Sequence, residues 1–197
     1  MRRAGKTRTQ IAARVPLLAC PAVFCHSVNT TCVPVSTPQN RHPRQYMLLT
    51  PFRFALKELI VRRILPRVQT PGQYVGGELN ALVKDPQQIR GRLCLAFPDT
   101  YAIGMSNHAV QVLYHLMNRL EDWACERVFA PWTDMEQLLR EHGLPLYSLE
   151  TYTPLRCFDV LGFSLQHELC YTNVLTMLDL AGIPWAAEDR TLDHPLV

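Results

Sequence analysis

The chain has 197 residues, 48% of them hydrophobic, enough for one full core, and no apolar run approaches the ~20 residues that cross a bilayer. Its net charge of +3 conceals a split: residues 1–57 carry nine Lys/Arg and no Asp or Glu, while the other 140 carry eleven Lys/Arg against seventeen Asp/Glu. The part able to fold is mildly acidic, which removes the usual argument from basicity to nucleic acid.

Residues 1–46 differ in composition from the rest of the chain. Arg2, Arg3, Lys6, Arg8 and Arg14 precede a Ser/Thr/Pro-rich tract that runs through Arg41 and Arg44. Leu17-Leu18-Ala19-Cys20 has the outline of a lipoprotein signal, but Arg14 and Pro16 interrupt the apolar segment. An Arg-rich, acid-free transit peptide is a second reading. The blandest is a disordered or mis-started leader, with Met47 as the first residue.

Residues 47–70 read as an amphipathic helix and a linker. Pro51 suits a first helical turn, Phe52, Leu56, Leu59, Ile60 and Ile64 recur at helical spacing, and Pro66 stops the pattern. Arg53, Lys57, Arg62 and Arg63 fit a membrane-surface helix or, as the plainer expectation, a docking helix with a solvated basic face.

The third region, residues 71–197, opens with Pro71-Gly-Gln-Tyr74-Val-Gly76-Gly77-Glu78-Leu-Asn80. Adjacent glycines mark a backbone that bends sharply or approaches something closely, so Gly76, Gly77 and Glu78 are candidates for a ligand contact or for a structured turn. Neither GxGxxG nor GxxxxGK[ST] occurs, so no phosphate-cradling loop is expected. Leu93 to Phe97 is a short apolar run stopped by Pro98, as a buried parallel strand would be. The pattern then predicts a helix from Ser106 to Leu120 and a brief strand from Arg127 to Ala130. Next comes a helix from Asp134 to His142, capped near Thr133 or Asp134 and closed by Gly143. Leu144 to Leu149 reads as a weak strand, Asp159 to Leu165 as a clear one, Leu169 to Ala181 as a helix, and Ile183 to Ala186 as the start of another strand. Strands alternating with helices specify an α/β fold: a Rossmann-like parallel sheet with helices on both faces.

Ligands in such sheets gather past the C-terminal strand ends. Asp99, Tyr101 and Gly104 lie there after the first strand, and Ser164, Gln166, His167 and Glu168 after the later one. His167 with Glu168 or Asp99 could move a proton, or the set could be a polar rim. His108 reads as a capping or surface histidine, and Trp132 and Trp185 are expected to pack under loops. The seven cysteines form no CxxC or CxxxCxxC pattern, and Cys94, Cys125 and Cys170 are expected as buried, reduced thiols in a cytoplasmic protein.

Four blocks, PGQYVGGELN, LAFPDTYAIGMSNHAVQVLYHLMN, CERVFAPWTDMEQLLREHGLPLYSLE and DVLGFSLQHELCYTNVLTMLDLAGIP, resemble the N-terminal region of cobalamin-binding-domain-like radical S-adenosylmethionine (SAM) proteins. The resemblance spans Pro71 to Val197. It implies a Rossmann-like part ahead of a catalytic barrel, whose CxxxCxxC cysteines hold a [4Fe–4S] cluster that binds SAM. That motif is missing here, so the resemblance implies a chain truncated before the barrel, with the barrel as its partner. It also implies a cobalamin loop of the form Asp-x-His-x-x-Gly, matched by Asp99 and Gly104 but with Tyr101 in the position of the cobalt-ligating histidine. A phenol of pKa ~10 is a poor metal ligand near neutral pH, and cobalamin held without that ligation stays open. Ser164-Leu-Gln166 also departs from the family's Ser-x-Leu at the nucleotide tail. The reading from a different class is a free-standing, non-catalytic module binding a nucleotide or small ligand in the same crevice.

Overall fold

A computed structural model describes residues 43–197, with side chains described from Pro51 onward. The leader expected over residues 1–46 lies outside the described residues, except that its last four already belong to a helix.

Among the described residues three strands make one sheet: β1 (Gly91–Phe97), β2 (Trp123–Phe129) and β3 (Val160–Phe163). All pairings are parallel, in the order β2-β1-β3, with Leu95 opposite both Arg127 and Gly162. Successive side chains of a strand alternate between faces. Leu95 and Phe97 therefore join one core with Cys125, Phe129 and Leu149, while Cys94 and Ala96 join another with Val128 and Leu161. Helix α3 (His108–Asn118) covers the first face through Val110 and Tyr114. The second face is covered by α4 (Thr133–His142) and α5 (Tyr171–Leu180), through Met135, Leu138, Leu139, Met177 and Leu178. Leu56, Ile60 and Ile64 from the N-terminal helical segment complete that core. The α/β, two-faced parallel sheet expected from the sequence is the observed architecture.

The differences from expectation have local causes. Helix α1 (Pro43–Leu59) begins well before Pro51, which lies inside it and has no N–H to donate there. It then widens into a π-helical turn, Ile60–Ile64, where Leu65 N–H reaches back to Ile60 O. The helix expected from Ser106 to Leu120 is α3, and it starts later because Asn107 leaves helical geometry and its side chain accepts from Val110 N–H at 3.2 Å; a separate short helix, α2 (Tyr101–Ser106), precedes it. Asn107 is thus the cap, and His108 is an exposed first-turn residue. Neither Thr133 nor Asp134 is the N-cap of α4. Trp132 holds that position, while the Asp134 carboxylate accepts from Met135 N–H and Gln69 N–H, each at 2.7 Å.

Leu144–Leu149 is no strand. Its N–H groups scatter to different partners: Leu146 to Leu180 O, Ser148 to Thr153 O and Leu149 to Arg127 O. One isolated bridge joins Tyr147 to Pro154 across a turn containing Tyr152 at φ 57°. Ile183–Ala186 is not a strand either. Gly182 closes α5 at φ 65°, Ile183 N–H returns to Leu178 O at 2.9 Å, and Arg190 ties up the carbonyls of Pro184 and Trp185. The segment beside β3 is instead the one around Leu196, bridged to Val160. Cys94, Cys125 and Cys170 are buried as expected, Cys125 on β2 itself.

On the outer side of β2 the partners are side chains. The Asn118 amide accepts from Cys125 N–H and donates to Cys125 O, both at 3.0 Å. Glu150 accepts from Arg127 N–H at 2.7 Å while Leu149 N–H donates to Arg127 O at 2.8 Å. Lys84 Nζ donates to Trp123 O at 2.7 Å.

Candidate functional site at the strand ends

All three strands end on phenylalanine, Phe97, Phe129 and Phe163, and the loops beyond them form the rim where ligands of parallel sheets gather. After β1, Asp99 Oδ1 accepts from Thr100 N–H at 2.7 Å, and the carbonyls of Phe97 and Asp99 share Ala130 N–H. Asn173 of α5 donates to Pro98 O at 2.9 Å, so this loop is anchored to its neighbours on both sides.

Tyr101 starts α2, with its ring edge-on to Phe129 at 5.5 Å, and its hydroxyl donates to Glu78 Oε1 at 2.6 Å. Burial, and after it the hydrogen bond and charge of Glu78, raise the Tyr101 phenol to about 12. The phenol is thus a protonated donor at neutral pH, already committed to a carboxylate. This brings together two candidates from separate motifs. Gly104 acts through packing: a Cβ there would lie 2.3 Å from the Phe129 ring, so only glycine lets α2 sit down on the strand-end phenylalanines.

The Gly76–Gly77 turn has φ values of 69° and 80°. A Cβ on Gly76 would meet Leu149 O at 2.2 Å, so the close approach expected there is to the chain's own backbone. Tyrosines hold this loop down. Tyr152 OH donates to Val75 O at 2.6 Å, Tyr147 stacks on Tyr152 at 5.0 Å, and Tyr74 OH accepts from Trp132 N–H at 3.0 Å. Beneath the loop a cavity of about 30 Å³, lined by Tyr74, Phe129, Met135 and Tyr147 among others, has room for one water. Larger clefts of about 590 and 450 Å³ lie elsewhere, beside Asp159, Arg190 and His194 and beside Asp179 and Trp185.

After β3, Ser164 N–H donates to Ala96 O and Ser164 Oγ accepts from Gln166 Nε2, both at 2.9 Å. Gln166, His167 and Glu168 are exposed. The imidazole of His167 rests against Cys170 Sγ, 3.6 Å from each ring nitrogen, rather than against Asp99 or Glu168. Trp132 and Trp185 are 53% and 61% exposed, not packed under loops.

Two buried ion pairs on opposite faces of the sheet were not foreseeable as pairs from the motifs. On one face, Arg92 pairs with Glu126, whose carboxylate also accepts from Ser148 Oγ and Thr151 Oγ1, each at 2.6 Å. On the other, Arg127 lies 4.0 Å over the Tyr114 ring and donates from Nε to Glu150 Oε1 at 2.8 Å. Adjacent opposite charges inside Trp123-Ala-Cys-Glu-Arg-Val-Phe129 are the signal the sequence does carry, since neighbours on a strand face opposite ways and each needs its own partner.

The rim does not suit cobalt ligation through Tyr101, because that hydroxyl is protonated and bonded to Glu78. The described cysteines do not suit an iron–sulfur cluster, because Cys94 and Cys125 occupy opposite faces of the sheet and Cys157 and Cys170 lie elsewhere in its surround.

Residues 109–197 match the family model described as radical SAM proteins, N-terminal. Over that stretch, from within α3 onward, the chain is similar to the N-terminal region of radical SAM proteins. The match contains Ser164 to Glu168 but neither the Asp99–Gly104 loop nor the Gly76–Gly77 turn. No curated protein and no solved structure shows a significant match. No described helix is long and apolar enough to cross a membrane.

Proposed function

We propose that residues 71–197 are the N-terminal domain of a radical SAM iron–sulfur enzyme, which helps bind substrate or cofactor and docks on a catalytic barrel carrying the cluster cysteines and SAM. The family match over 109–197 is the observation that carries this reading. The rim supports it: Tyr101 with Glu78, Ser164 with Gln166, and exposed His167 and Glu168 form a polar surface beside large exposed side chains such as Trp132 and Leu169. Such a mixture suits a face that meets both a small molecule and another domain. Cobalamin, if held here, is held by shape and polar contacts. We assign the protein to the cytoplasm on Cys94, Cys125 and Cys170, buried thiols that form no disulfide with one another.

The deciding observation is genetic. Reading past codon 197, and in adjacent genes, should reveal a CxxxCxxC-containing domain, and finding none would remove the proposal. A free-standing binding module is the second reading, supported by the packed cores on both sheet faces. It requires residues 47–197 to unfold cooperatively as a monomer, which calorimetry with sedimentation tests.

A further inference from the structure

Below the rim, at the junction of α2 and α3, Arg127 has an unfilled hydrogen-bonding position. Its Nε is bonded to Glu150, its Nη1 lies 3.5 Å from Met105 Sδ and 3.3 Å from Gln111 Oε1, and its Nη2 is buried with no hydrogen-bond partner among the described residues. Leaving such a donor unsatisfied is costly, so a strong acceptor placed there is favoured. Met105 is positioned to become that acceptor. Its thioether contacts the guanidinium, and its backbone is tied by Gln111 Nε2 donating to Met105 O at 3.0 Å. Its side chain is half-buried, so a small oxidant can reach it. Met135 and Met177 are sealed in the core, and among the described residues no hydrogen bond reaches the sulfur of the half-buried Met117.

We propose that Met105 is a modification site at which a peroxide forms a single sulfoxide epimer, its oxygen docked on Arg127 Nη2. The sulfur lone pair attacks one peroxide oxygen, the S–O bond forms as O–O breaks, and sulfur is oxidised by two electrons. With hydrogen peroxide the second oxygen leaves as hydroxide and takes the proton from the oxygen now bound to sulfur, giving the sulfoxide and water. Sulfoxide formation ordinarily inserts a polar oxygen where nothing receives it and so disrupts packing. Here a guanidinium already lies beside the thioether, and oxygen added on the sulfur face turned toward Arg127 would reach it, whereas oxygen on the other face would not. Met105 lies one helical turn after Tyr101 on α2, so the modification registers on the helix that carries the rim's tyrosine.

The test treats the full chain with hydrogen peroxide, both folded and in denaturant. Tryptic peptides are then exposed to each of the two epimer-specific methionine sulfoxide reductases, with mass spectrometry as readout. In folded protein one reductase should clear the Met105 sulfoxide, with an epimer excess of about tenfold, while denatured protein should give both epimers equally. The melting temperature of the oxidised folded protein should be unchanged or raised, and Met105→Leu should abolish any rise. Equal epimers at Met105 in folded protein, resistance of Met105 to the oxidant, or a lowered melting temperature that Met105→Leu prevents would each overturn the proposal.

Discussion

The two buried ion pairs share strand β2 and almost nothing else. Glu126 and Arg92 are each 4% exposed, and Glu150 and Arg127 each 1%. Burial pushes both carboxyls upward. For Glu126, the charge of Arg92 and the hydroxyls of Ser148 and Thr151 outweigh burial and hold the carboxyl below its ordinary value. For Glu150, burial wins over Arg127, the charge of Glu126 adds to it, and the carboxyl rises to about 7. Among the described residues Glu150 accepts only from Arg127, through Nε and the backbone N–H. Each carboxylate has an arginine as its largest favourable influence; Glu126 adds two hydroxyl donors, whereas Glu150 adds one backbone N–H and feels the repulsion of Glu126.

The largest effect expected is from Glu126→Ala. It strands the Arg92 guanidinium against Phe158 and Thr153 and should lower unfolding free energy by about 3–5 kcal/mol in a denaturant titration. Next comes pH. A carboxyl whose folded value, about 7, exceeds its ordinary 4.5 contributes stability that is full below 4.5 and is lost as pH rises through 7. That loss is about 3 kcal/mol, and Glu150→Gln should flatten the limb when the denaturation midpoint is followed from pH 5 to 9. Glu126, depressed, has the opposite sign: its contribution is present above 4.5 and is lost as pH falls. A wild-type curve without a falling limb near pH 7 would sink the contrast. Removing both hydroxyls, with Ser148→Ala and Thr151→Val, should make Glu126 behave like Glu150. The expected cost is about 1–3 kcal/mol at pH 8, with an upward move of the Glu126 carboxyl resonance midpoint in an NMR titration. The smallest change is at the rim. Tyr101→Phe removes one hydrogen bond to a half-exposed partner and should cost about 1 kcal/mol while leaving both pH limbs in place.

Much of the fold is legible in the sequence because β1 and β3 are nearly uninterrupted apolar runs. In β2 the same signal is masked at its centre by Glu126 and Arg127, so only its last residues read as a strand. The break between α2 and α3 is written in Asn107, but as cap chemistry rather than as a change in hydrophobic spacing. Leu144–Leu149 and Ile183–Ala186 have strand-like composition, yet their peptide groups bond to several different elements, and composition carries no information about that. At the rim the individual candidates are visible one by one; that Tyr101 meets Glu78, 23 residues away, depends on how the glycine turn docks against Leu149. Of the paired glycines Gly76 does mark a close approach, and the neighbour it approaches is backbone.

The side chains along β2 also limit how the sheet can grow. An edge strand offers its outward peptide groups to any extended segment, whether a partner's or another copy's. On β2 the Trp123 carbonyl, both groups of Cys125 and both groups of Arg127 are already occupied, by Lys84, the Asn118 amide, Glu150 and Leu149. No extended segment can add there without displacing a buried carboxylate from its arginine. Strand addition is thereby directed to the far side of β3, where the stretch around Leu196 already bonds to Asp159 and Leu161, and the sheet has one direction in which to extend.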